Sequence, residues 1–289
     1  MVILKINQDY FLEKLNSLVI KSLLYEVSCF PSPGLVSPIS NGAHNDMDYY
    51  TFLDSIATIG PKFKKIAEIG FLDIPTENLL SKIRPIGIEI EKDMFEATNN
   101  INTHKGLIFL MGVICVATSR AFYENKSFYE IRNIIKEITK GLVSKELTNR
   151  ESNKKETYGE KIFRLYGITG IRGEVEAGLP SVFDYSLPFY EEHKSLKNNE
   201  RLYLTLICIM ANCDDSTLLH RHDISVLKEI KEEANKIILS LDKLKSDEIT
   251  NKIYEMDSIF SKRRISPGGS ADLLAITVFL DGIKSLFTL

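Results

Sequence analysis

Five short segments gather residues able to do chemistry. In Asn41-Gly-Ala-His-Asn-Asp-Met-Asp48, His44, Asp46 and Asp48 set one imidazole and two carboxylates close together, behind an irregular Pro33-Gly-Leu-Val loop. The carboxylates suit a hard cation, and the imidazole suits a proton or a phosphate. Asp46 is equally placed to cap a helix beginning near Met47. The run Ile88-Glu-Ile-Glu-Lys-Asp-Met94 is acidic, with Glu91 and Thr98 sharing one helical face and Glu89 and Asp93 another. A solvated acidic face gives the same pattern.

Asn102-Thr-His-Lys-Gly106 directly precedes an apolar helix, Leu107 to Ala121. Unpaired backbone N–H groups at that point, beside His104 and Lys105, make a plausible anion site; an Asn or Thr cap is the simpler account. In Tyr166-Gly-Ile-Thr-Gly-Ile-Arg-Gly-Glu174, glycines recur every third residue. On a helix they form a stripe costing about 1 kcal/mol per Gly relative to Ala, which makes sense if a backbone or ligand comes close. Arg172 and Glu174 flank that stripe. In Ser266-Pro-Gly-Gly-Ser-Ala-Asp-Leu-Leu-Ala275, Ser270 reads as the cap of the last helix and Asp272 as a first-turn acid. Gly268 and Gly269 allow the backbone N–H groups to turn outward as a phosphate-binding nest.

Other chemistries have no basis in the residues. No phosphate loop of the Gly-x-x-x-x-Gly-Lys-Ser/Thr type occurs, nor Gly-x-Gly-x-x-Gly, His-Glu-x-x-His or Gly-x-Ser-x-Gly. The four cysteines stand apart, which excludes a zinc ribbon, a thioredoxin motif and a disulfide framework; reduced, buried thiols are expected. Basic and acidic residues nearly balance, 36 against 39, for a net charge of -3. That balance argues against a nucleic-acid footprint or a polybasic membrane surface.

The elements that must position these segments are helical. Phe11, Leu15, Leu18, Val19, Ser22 and Leu23 mark the face of a first helix. Phe128, Ile131, Ile135, Ile138 and Leu142 repeat at three and four, as do Leu227, Ile230, Ala234, Ile237, Ile238 and Leu241. No series of alternating strands with hairpin turns is visible. Breaks at Pro31 to Gly42, Gly60-Pro61, Thr148 to Glu156, His193 to Asn199 and Ser266 to Gly269 predict an all-α fold of about ten or eleven helices. The polar stretch near residue 150 reads as a loop inside one domain spanning 1–289, since the motifs lie on both sides of it. The apolar run Leu107 to Ala117 falls short of the roughly 20 residues of a membrane span. Nor does the N-terminus show a small-residue cleavage site, so a cytoplasmic protein is expected.

Taken in order, the segments resemble the triphosphoribosyl-dephospho-CoA synthase family, which serves citrate lyase and malonate decarboxylase. The landmarks are Glu26 with Pro33-Gly-Leu-Val, Gly42-Ala-His-x-Asp-Met, Glu91-x-x-Met, Asn102-Thr-His-Lys-Gly, Gly170-Ile-Arg-Gly-Glu and Ser266-Pro-Gly-Gly-Ser-Ala-Asp-Leu-Leu-Ala. The resemblance implies an all-α enzyme joining the triphosphoribosyl group of ATP to the 2'-hydroxyl of 3'-dephospho-CoA, with loss of adenine. The product is the precursor of the prosthetic group of the lyase acyl carrier subunit. A reacting centre of oxocarbenium character wants carboxylates, for which Asp46, Glu91, Glu174 and Asp215 are the candidates. Mg²⁺ on the triphosphate would take Asp46, Glu91 and Glu174. Phosphate contacts would fall to His44, His104, Lys105, Arg172, Arg221, Gly268, Gly269 and Ser270.

Three places depart from the family pattern. Ser32 stands where a Lys is common, Asp215-Ser-Thr replaces Asp-Thr-Asn, and Arg221-His-Asp replaces Arg-Gly-Gly. These departures bear on the choice of acceptor, leaving open the same chemistry on another alcohol, or nucleotide binding without turnover.

Overall fold

A computed structural model describes residues 7–148 and 156–288. Among them are thirteen α-helices and no strand: α1 Gln8–Val27, α2 Tyr49–Ile59, α3 Phe63–Ile69, α4 Leu79–Ala97, α5 Lys105–Tyr123, α6 Ile131–Ile138, α7 Tyr158–Tyr166, α8 Gly170–Glu176, α9 Leu187–Glu192, α10 Asn198–Asn212, α11 Ile224–Ile238, α12 Ser246–Arg263 and α13 Gly268–Lys284. The all-α expectation holds, with a few more helices than expected. The expected loop from Thr148 to Glu156 lies, between its two end residues, outside the described residues, as does Met1 to Ile6.

The fold is organised around α5. From Leu107 to Ala121 nearly every side chain is buried, and the helix packs against α3, α4, α6, α8 and α13. A helix apolar all round belongs inside a protein or a membrane; α5 has the length for either, and here its apolar surface is consumed by the core. Its one buried cation is anchored locally, with Arg120 donating to the carbonyls of Leu72 and Ile74 at 2.8 and 3.1 Å.

Helix α1 lies along α13, and its buried face carries Phe11, Leu15, Val19, Ser22, Leu23 and Glu26. Phe11 stacks on Phe122 at the end of α5, with ring centroids 3.9 Å apart. Most of the predicted stripes are buried, Phe128, Ile131, Ile135, Ile138 and Leu142 in and around α6 and Leu227, Ile230, Ala234 and Ile237 on α11, while Ile238 and Leu241 are half-buried. All four cysteines are buried and unbridged.

Two local expectations fail for identifiable reasons. Asp48, not Asp46, caps α2, accepting from the Thr51 amide at 2.9 Å while the Thr51 hydroxyl reaches back. Both carboxylates suited a cap, but only Asp48 is adjacent to the first helical residue. The glycines of the fourth segment do not form a helical stripe. Gly167 and Gly170 have φ of +71° and +55°, so they end α7 and open α8 instead. Glycine enters this left-handed region without the steric cost other residues incur, and it adds a helix boundary that spacing alone conceals.

Candidate active site

The first residues of α5, α8 and α13 meet the 32–48 loop around a cavity of about 350 Å³. The loop is held in shape by its glycines. Gly34 has φ of +72°, and a Cβ there would strike the carbonyl of Ile265; its amide donates to Asp257 at 2.9 Å. This seats His44 against the turn before α13, where its Nε2 lies 2.8 Å from the Ser266 hydroxyl. Burial, then the nearby Arg221 charge, lowers the pKa of His44, and Asp46 opposes that shift. Neutral imidazole is therefore favoured.

His104 is deeper, on the same cavity. Its Nδ1 is 2.7 Å from the Ser55 hydroxyl, its ring meets Phe52 edge to face, and its Nε2 has no partner. Burial pushes its pKa down to about 3, so it is neutral at physiological pH. Lys105, the first residue of α5, pairs with Glu91 of α4 at 2.5 Å. Arg172 of α8 donates to Glu146 at 2.6 Å, and Arg84 shares that carboxylate. Lys105 and Arg172 line both this cavity and a second, more apolar one of about 320 Å³ between α4 and α5.

Of the expected carboxylates, Glu174 and Asp215 line one recess, while Asp46 and Glu91 lie elsewhere. Asp46 is exposed at 58%, 3.7 Å from His44. Glu91 lines the second cavity. Glu174 lines a neighbouring recess and accepts from the Ser181 amide and hydroxyl at 2.8 and 3.1 Å. Burial raises its pKa despite those donors. Asp46, Glu91 and Glu174 thus lie in three different surroundings.

Asp215 is buried and anchors the start of α13. Its Oδ1 accepts from the amides of Thr217 and Gly269 at 2.9 and 3.2 Å; its Oδ2 accepts from the Ser270 amide and hydroxyl at 2.8 and 3.0 Å. Burial raises its pKa, and these donors work against that rise. The amides of Gly269 and Ser270 therefore point to Asp215 and not into the cavity. Ser270 lies inside the first turn of α13, which starts at Gly268, so it does not cap that helix. Arg221 lines a separate recess with Lys161 and His222.

Two of the departing residues have structural tasks. His222 Nε2 lies 3.0 Å from the carbonyl of Arg264, and Asp223 caps α11 by accepting from the Ser225 amide at 2.9 Å. Ser32 is buried and its hydroxyl has no partner.

The main cavity also carries two carboxyl groups to which the sequence reading gave no site role, Glu26, noted as a family landmark, and Asp272, expected as a first-turn acid. Glu26 is 8% exposed, and burial pushes its pKa up to about 8. Asp272, in the second turn of α13, is driven well above the usual carboxylate range by burial and then by Glu26 and Asp215. A signal for Glu26 existed: a carboxyl falls on the apolar stripe of α1, where charge is costly.

Residues 12–288 match the family model of ATP:dephospho-CoA triphosphoribosyl transferase (CitG). A probable 2-(5''-triphosphoribosyl)-3'-dephosphocoenzyme-A synthase of Streptococcus mutans is 36% identical, covering 95% of this chain and 98% of its own. A probable synthase of the same description from Vibrio cholerae is 38% identical over 92% of this chain and 87% of its own. Protein CitXG of Leuconostoc mesenteroides is 37% identical over 89% of this chain and 56% of its own. No solved structure matches the chain.

Proposed function

The chain belongs to the ATP:dephospho-CoA triphosphoribosyl transferase family, and we propose that the cavity ringed by α5, α8 and α13 is where it transfers the triphosphoribosyl group. The enzyme joins the triphosphoribosyl part of ATP to 3'-dephospho-CoA. In the reaction the bond from adenine to ribose C1' breaks, and a bond from the acceptor 2'-oxygen to C1' forms. The hydroxyl proton leaves to a base, adenine departs with a proton gained on its ring, and the triphosphate stays intact. This is glycosyl rather than phosphoryl transfer, which fits a sequence without a phosphate loop.

The observation that carries the reading is the convergence of Lys105, Arg172, His44 and buried His104 on one cavity. Lys105 and Arg172 are the cations for the triphosphate, and each is held ready by a carboxylate that phosphate can displace. Glu91 presents Lys105, Asp46 stands behind His44, and Asp215 fixes the turn of Gly268, Gly269 and Ser270. Glu174 serves from the adjoining recess, and Arg221 adds positive potential near His44. The second cavity, with Ile83, Ile108 and Phe109 in its walls, suits the acceptor's pantetheine arm.

Mg²⁺ fits this site as a companion of the triphosphate. No three His, Cys, Asp or Glu side chains cluster as a metal cage among the described residues. Carboxylates on the cavity do match the hard-cation donor set completed by phosphate oxygens. When bound, Mg²⁺ would neutralise the triphosphate. The product then goes to the system that attaches it to a lyase acyl carrier subunit, in a cytoplasmic setting.

Incubation with ATP, dephospho-CoA and Mg²⁺ tests the reading. Free adenine should form in step with a product carrying the mass of dephospho-CoA plus triphosphoribose. Release of ADP or phosphate instead would overturn it, and a product of another mass would mark a different acceptor.

A further inference from the structure

We propose that Glu26 of α1 and Asp272 of α13 together receive the divalent cation that enters with the nucleotide. The inference rests on the reading of this cavity as the ATP site. Both carboxyl groups line it, and among the described residues no hydrogen-bond donor or positive charge acts on either. The cations nearby are otherwise engaged, Lys105 with Glu91 and Arg172 with Glu146. A carboxyl left buried without donor or counter-charge costs stability unless something else compensates it.

Gly106 lies against Asp272 of this pair. A Cβ on Gly106 would come 2.6 Å from Asp272 Oδ2, so glycine lets the start of α5 press against that carboxyl. An independent sign of a ligand comes from His104, which is 2% exposed. With Nδ1 committed to Ser55, its Nε2 is left unpartnered, and the residue lines the same cavity. Such an orphaned buried nitrogen calls for a water or ligand group beside it.

The donor set selects the kind of cation. Among the described residues no third His, Cys, Asp or Glu clusters with the pair as a zinc cage requires. Two carboxylates completed by phosphate oxygens and water are the arrangement Mg²⁺ or Mn²⁺ adopts with a nucleotide. The cation would also keep the triphosphate from being repelled by two carboxylates in a confined space.

Mn²⁺ titration followed by electron paramagnetic resonance tests the assignment on the full chain, with and without ATP, alongside thermal unfolding. The parent should bind one Mn²⁺, more tightly with ATP, and its melting temperature should rise with Mn²⁺. Glu26→Gln and Asp272→Asn should each weaken Mn²⁺ binding by tenfold or more. In chelator-treated buffer both variants should melt no lower than the parent, since an amide removes an unpaired carboxyl. Unchanged Mn²⁺ affinity in both variants would overturn the proposal, as would variants that bind Mn²⁺ and ATP normally yet release no adenine, because the pair would then act on a proton. If the parent binds Mn²⁺ at this pair but makes no adenine from ATP and dephospho-CoA, the cation site stands and the catalytic reading fails.

Discussion

Asp215 accepts both the amide and the hydroxyl of Ser270, at 2.8 and 3.0 Å, and so joins the segment after α10 to the first turn of α13. Four donors in all converge on this buried carboxylate, including the amides of Thr217 and Gly269. A helix N-terminus favours a carboxylate through both its unpaired N–H groups and its dipole. The bond network sets where Ser266, Gly268 and Asp272 face the cavity, and Asp215 itself lines the neighbouring recess with Glu174.

Asp215→Ala should therefore be strongly destabilising. It strands buried donors, and hydrogen bonds to a charged group contribute about 1.5–3 kcal/mol each. A loss of at least about 2 kcal/mol in urea unfolding is expected, along with lower ATP affinity because α13 begins out of place. A stability change within about 0.5 kcal/mol would show that the network is not what fixes the turn.

Lys105→Ala and Arg172→Ala should weaken ATP binding without changing helical content. Each removes a charge-assisted contact of about 1.5–3 kcal/mol, or roughly ten- to a hundredfold in affinity. Glu91→Gln tests the same pair from the other side. Lys105 is 55% exposed, so its pairing with Glu91 adds little stability, and the variant should unfold within about 0.5 kcal/mol of the parent. Its effect should be confined to turnover and to ATP binding. Calorimetric titration of ATP against the three variants separates these outcomes.

His104 gives the stability curve a definite sign. Its folded pKa of about 3 lies below the ordinary value of 6.5, so the unfolded chain takes up a proton first as the pH falls. Its contribution to stability is complete above pH 6.5 and is lost progressively between 6.5 and 3, about 1.4 kcal/mol per pH unit at most. Glu26 runs the opposite way, because its raised pKa of about 8 costs stability as the pH rises from 4.5 towards 8. The difference between the parent and His104→Gln isolates the histidine. In urea unfolding the parent's advantage over the variant should shrink steadily from pH 6.5 to 4.5. A constant difference would mean that His104 is charged in the folded state.

What the sequence made legible follows from range. The stripes of α1, α6 and α11 are set by neighbours three and four residues away, and most of each is buried as its period requires. Backbone conformation is less visible. Three evenly spaced glycines fit a helix as well as a break, and only the φ values of Gly167 and Gly170 decide. The cavity is least visible, since Glu26, His104, Arg172 and Asp272 are brought together by packing of α1, α5, α8 and α13. Each chemical segment could be found by its residue types. Which carboxylates face inward could not, because Asp46 and Glu26 differ in burial rather than in chemistry.

Asp46 and Glu174 remain candidates for the transfer, and their surroundings make the test clean. Asp46 is exposed, and Asp48 rather than Asp46 caps α2, so Asp46→Asn takes nothing from the fold. Glu174 accepts from Ser181 at 2.8 and 3.1 Å, and the oxygen of a glutamine can accept the same bonds. Both variants should fold with parental helical content. If the negative charge serves the developing cation at C1', neutralising it removes stabilisation found only in the transition state. The expected loss in kcat is then about a hundredfold or more, or at least about 2.7 kcal/mol, with ATP binding little changed. A group that holds metal would instead raise the Mg²⁺ concentration needed for half-maximal rate. Measuring adenine release across a Mg²⁺ series distinguishes the two. Parental kcat in both variants at saturating Mg²⁺ would remove Asp46 and Glu174 from the chemistry and leave them to orient His44 and Ser181.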